Sequence, residues 1–82
     1  MEEMLDLVFY NIKGQYITIS VNIPAELLDS DEVDRLMDMF IDSEIFSSKV
    51  FRGAGEGEIT KVRAELATYK KEKIKADTIL EV

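Results

Sequence analysis

The chain has 82 residues, no cysteine, no histidine and a net charge of −7. This length fills one hydrophobic core, and the composition excludes disulfides and every metal site built on Cys or His. The acids are concentrated early: residues 1–46 hold eleven of them against Lys13 and Arg35, which argues against direct nucleic-acid binding or an anionic membrane surface.

Residues 4–23 read as a β-hairpin. Leu5, Leu7 and Phe9 alternate with Met4, Asp6, Val8 and Tyr10, the period of a strand with one face on a core. Gly14 can take the positive φ of a short hairpin loop. Ile17, Ile19, Val21 and Ile23 then alternate with Tyr16, Thr18, Ser20 and Asn22 until Pro24 closes the strand.

A helix start follows. Asp29 or Ser30 can cap it, and Glu32 stands three residues after Asp29 as a reciprocal capping box requires. Val33, Leu36, Met37, Phe40 and Ile41 form one apolar stripe at helical spacing. The helix is expected to fade near residues 42–44, with Ile45 and Phe46 packing as the chain turns away. Residues 47–57 contain three glycines in five positions and read as a mobile loop. Residues 58–74 support two readings. Ile59, Val62, Leu66 and Tyr69 have near-helical spacing, whereas Thr60, Val62, Ala64, Leu66 and Thr68 alternate as a strand does.

The hairpin ending Ile17–Pro24, the acid-started helix ending Leu36–Phe46 and the segment Glu58–Leu66 together resemble a family of small proteins of unknown function from Gram-positive bacteria. Arg63 stands where that family tends to have glycine. The resemblance covers residues 4–75 and implies two strands within 58–74, hence an α+β fold in the order β-β-α-β-β. The residues alone leave β-β-α-α, with a helix over 58–74, as the alternative. The resemblance implies no activity.

Candidate chemistry is sparse. Asp29, Asp31 and Asp34 lack the glycine and distant glutamate of a calcium loop. Gly53, Gly55 and Gly57 lack phosphate-loop spacing, and Glu56 and Glu58 would repel a phosphate. No histidine is present to activate a nucleophile, and one helix on four strands rarely encloses a ligand-sized cleft. An enzyme is therefore not expected, nor is a cofactor or metal. Lys70, Lys71, Lys73 and Lys75 read as a blunted sheet edge, with the last three on one face if the run is a strand.

Two surfaces remain. Asp31, Asp34, Asp38 and Asp42 share one helix face, a stripe able to mimic nucleic-acid phosphate as an acidic inhibitor would, with Arg35 as the base at hand. Met4, Val8, Tyr10 and Tyr16 point away from the hairpin's core face, a patch suited to protein contact or a homodimer. The expected protein is a non-enzymatic protein-interaction module, a single domain over 1–82. From the acidic N-terminus and the lack of long apolar runs, neither a signal peptide nor a membrane span is expected, and cytoplasmic residence is the expectation.

Overall fold

The computed structural model describes residues 2–24, 29–43, 45–47 and 58–82. Four strands form one antiparallel sheet: β1 (Glu2–Asn11), β2 (Tyr16–Val21), β3 (Ile59–Lys70) and β4 (Glu72–Glu81), in spatial order β2-β1-β3-β4. A 13-residue helix, α1 (Ser30–Asp42), and a short 3-10 turn, Ile45–Ser47, lie between the two hairpins. The order along the chain is β-β-α-β-β. Most of the glycine-rich segment expected to be mobile, 48–57, lies outside the described residues.

The first hairpin closes through a turn in which the Gly14 amide donates to the Asn11 carbonyl and the Asn11 amide to the Gln15 carbonyl, both at 3.1 Å. Gly14 has φ +81°, the left-handed position that such a loop requires. The Asn11 side-chain oxygen also accepts from the amides of Lys13 and Gln15. Leu5, Leu7 and Phe9 stand opposite Val21, Ile19 and Ile17, so all six share the face that α1 covers.

Asp29 caps α1, its carboxylate accepting the Asp31 amide at 2.7 Å. Glu32 is engaged by Arg35 at 3.0 Å. Val33 and Met37 are fully buried against Leu5, Leu7, Phe9, Ile17, Ala64 and Phe46, with Leu36, Phe40 and Ile41 at the margin. Phe46 meets Phe9 edge to face, centroids 4.8 Å apart. Each such burial contributes roughly 1.5–3 kcal/mol.

The last third of the chain is strand, and the helical alternative over 58–74 does not form. The second hairpin differs in its bounds: β3 takes most of 58–74, the chain reverses at Lys71, and β4 runs on to Glu81. Three register shifts interrupt this part of the sheet, two in β4 at Ile74 and Ile79 and one within β3, where it obscures the alternation. The one in β3 sits opposite Val8/Phe9, so Arg63 faces Val8 while Lys61 faces Phe9, and Val62 is the extra residue. Thr60 and Ala64 consequently lie on opposite faces despite their even spacing. The shift at Thr68/Tyr69 places Lys73 opposite Tyr69 and Lys75 opposite Thr68. Lys73 and Lys75 therefore point to opposite faces, and Lys71, at φ 72°, occupies the turn. The three lysines do not share a face.

Candidate functional site

The sheet face turned away from α1 is built from β1 residues Met4, Asp6, Val8 and Tyr10, with the residues that pair with them on either side. Among the described residues no helix or strand lies over it. Its centre is nevertheless closed, because Asp6 is 0 % exposed and Val8 is 4 % exposed.

Asp6 is covered by side chains from all three other strands. Ser20 of β2 is its cross-strand partner and donates its hydroxyl at 2.6 Å. The Tyr69 hydroxyl of β3 donates to the other carboxylate oxygen at 2.5 Å. Lys73 of β4 reaches over β3 to place Nζ 2.8 Å from that same oxygen. Its ammonium also lies 2.8 Å from Glu65 Oε1 and 5.9 Å from the Tyr69 ring centroid. Arg63 Nε stands 3.4 Å from Glu65 Oε2. Two carboxylates and two cations thus form one balanced ionic cluster across β1, β3 and β4.

The protonation states follow from these contacts. Burial pushes the Asp6 carboxyl up, but the hydrogen bonds from Lys73, Ser20 and Tyr69 and the Lys73 charge outweigh it and hold the group below its usual value. Hydrogen bonds to Asp6 and Glu65 push the Lys73 ammonium up against its own burial. The hydrogen bond to Asp6, aided by burial, pushes the Tyr69 phenol up. All three groups move away from neutrality, which fixes them as carboxylate, ammonium and phenol.

Beside this cluster lie Tyr10 and Tyr16, a cross-strand pair with ring centroids 4.8 Å apart. They are 36 % and 66 % exposed. Of the expected patch, these two present area to solvent, while Met4 is half-buried and Val8 is buried.

The acidic stripe lies on the other side of the molecule. Asp34 and Asp38 both pair with Lys61 of β3, at 2.7 and 2.9 Å. Hydrogen bonds to these two carboxylates push the Lys61 ammonium up against its burial. Arg35, the expected neutralising base, pairs with Glu32 instead. Asp31 and Asp42 remain exposed. A groove of about 320 Å³ between α1 and Ile23 is lined by Glu32, Val33, Arg35, Leu36 and Met39. No cluster of three or more acids among the described residues could hold a metal ion, and no helix among them is long and apolar enough to cross a membrane.

Lys73, Tyr69, Ser20 and Glu65 did not emerge as a group from the sequence. The available signal was an aspartate centred in an apolar strand, opposite a serine in the hairpin register.

Fold and surface together define a small α+β protein with a one-sided antiparallel sheet and an internally paired ionic cluster on its open face. The chain belongs to the family described as protein of unknown function (DUF2922), whose model matches residues 2–75. No curated protein matches the chain, and no solved structure does.

Proposed function

We propose that this protein is a non-enzymatic protein-interaction module, self-associating as a homodimer and offering the outer sheet face to protein partners. The observation that carries the reading is the exposed Tyr10–Tyr16 pair beside the charge-balanced ionic cluster. Tyrosine supplies large contact area at low conformational cost and is enriched where proteins meet. The ionic cluster needs no partner charge, so docking over it leaves no buried ion unpaired.

The directions of the pKa shifts support the non-enzymatic part. An acid–base catalyst works best with a pKa near the working pH, whereas Asp6, Tyr69 and Lys73 are all driven away from it. The other reading, an acidic inhibitor mimicking phosphate through Asp31, Asp34, Asp38 and Asp42, has less support. Lys61 occupies two of those four carboxylates.

The test is affinity purification from the native cell, run with the wild type and with Tyr10→Lys/Tyr16→Lys. The proposal expects a defined partner in the first eluate and its loss from the second. Equal capture by both refutes a role for the outer face. Capture lost instead when the four aspartates become asparagine would favour the inhibitor.

A further inference from the structure

We infer that two copies of this chain join along the edge of β2 that no other described strand pairs with, in antiparallel register with Thr18 opposite Thr18, to make one continuous sheet. The inference rests on the homodimer reading above and specifies its geometry.

The two outer edges of the sheet differ in kind. β4 carries Glu72, Lys73, Lys75, Asp77 and Glu81 and is interrupted by two register shifts, which are recognised ways of blocking edge-to-edge pairing. β2 reads Tyr-Ile-Thr-Ile-Ser-Val. It has no charge, no proline, no glycine and an unbroken register with β1. In a chain of net charge −7, it is a stretch of edge on which two copies can meet without opposing like charges.

The ladder decides which residues offer hydrogen bonds. The Asn11 amide donates to the Gln15 carbonyl, so Asn11–Gln15 is a hydrogen-bonded pair. Such pairs alternate along an antiparallel ladder. Ile17, Ile19 and Val21 therefore spend their main-chain groups on Phe9, Leu7 and Leu5, while Tyr16, Thr18 and Ser20 direct theirs outward. A second β2 can satisfy these groups only by bringing its own even-numbered residues opposite them.

This parity places both helices on the same side of the joined sheet. With Thr18 facing Thr18, Tyr16 of each copy faces Ser20 of the other. Three closed pairs exchanging two bonds each give about six main-chain hydrogen bonds. Ile17 then faces Ile19 on the helix side, and two four-stranded sheets become one. The Tyr10–Tyr16 pairs of both copies come to the centre of a single outer face.

The test is molar mass by sedimentation equilibrium, from micromolar to near-millimolar concentration. Wild type should pass from monomer to dimer. Thr18→Lys and Thr18→Glu, on an exposed edge position, should each weaken the dimer about tenfold or more, since like charges then face each other. Circular dichroism checks that both remain folded. An equimolar mixture of the two should restore a dimer, because opposite charges now meet across the axis. Tyr10→Lys, one strand in from the seam, should weaken the dimer far less than either Thr18 variant. A wild type that stays monomeric throughout overturns the inference, as does a mixture in which no dimer returns. A dimer that Tyr10→Lys dissociates and the Thr18 variants do not places the contact on the outer face and also overturns it. Partner capture by Tyr10 and Tyr16 is read separately, so a monomeric wild type does not by itself refute the module.

Discussion

Replacing Lys73 with methionine keeps most of the stem that covers Asp6 and removes the ammonium that neutralises it. The lost contacts are 2.8 Å to Asp6 and 2.8 Å to Glu65. Breaking a buried pair from one side typically costs about 3–5 kcal/mol, because a charge is left uncompensated. Two features reduce that here: the Lys73 side chain is 37 % exposed, so water screens part of the interaction, and Ser20 and Tyr69 still donate to the carboxylate. The expected loss is about 2 kcal/mol in urea unfolding at pH 7, or a melting temperature lower by roughly 8–16 °C. The pH dependence supplies a second readout. In the wild type the Asp6 pKa is depressed, so its contribution is present above the unfolded value of about 3.9 and is lost as pH falls through the lower folded value. In Lys73→Met the hydrogen bond and charge of Lys73 no longer lower it, so the folded pKa rises and the variant loses less stability than the wild type on acidification. The stability gap should narrow below about pH 4. A loss under about 0.5 kcal/mol at pH 7, the range of an ordinary surface substitution, or a gap that widens on acidification, would refute the reasoning.

The two left-handed positions should respond in opposite senses. Gly14→Ala is expected to cost about 1 kcal/mol from backbone strain alone, because the added carbon would meet the Tyr10 hydroxyl at an ordinary 3.6 Å. Lys71→Gly should gain a few tenths of a kcal/mol by relieving φ 72°; chemical denaturation of both variants checks the signs. Phe46→Ala should cost about 3 kcal/mol, since Phe46 is 4 % exposed and packs on Phe9. A Phe9→Leu/Phe46→Ala double-mutant cycle showing no coupling would contradict the ring contact.

The first hairpin and the helix were legible because each obeys a single unbroken period. Gly14 marked the turn, and Val33, Leu36, Met37, Phe40 and Ile41 marked the buried stripe. β3 was not, because the bulge at Val62 shifts the phase of the strand and leaves a pattern that also fits a helix. The Tyr10–Tyr16 pair followed from the hairpin register, a local property. The Asp6 cluster could not follow from anything local: Tyr69 lies 63 residues from Asp6 along the chain, and the shift at Thr68/Tyr69 turns Lys73, not Lys75, toward it. Lys61 was hidden for the same reason, because its place under Asp34 and Asp38 depends on how α1 crosses the sheet.

The ionic cluster balances its own charges, whereas α1 keeps an excess of acid even after Lys61 and Arg35 are counted. Among the described residues the charge is therefore lopsided, a dipole with its negative pole on the helix layer. In solution of low ionic strength such a dipole turns the helix layer toward any cationic surface. The two tyrosines are then carried to the far side, facing outward.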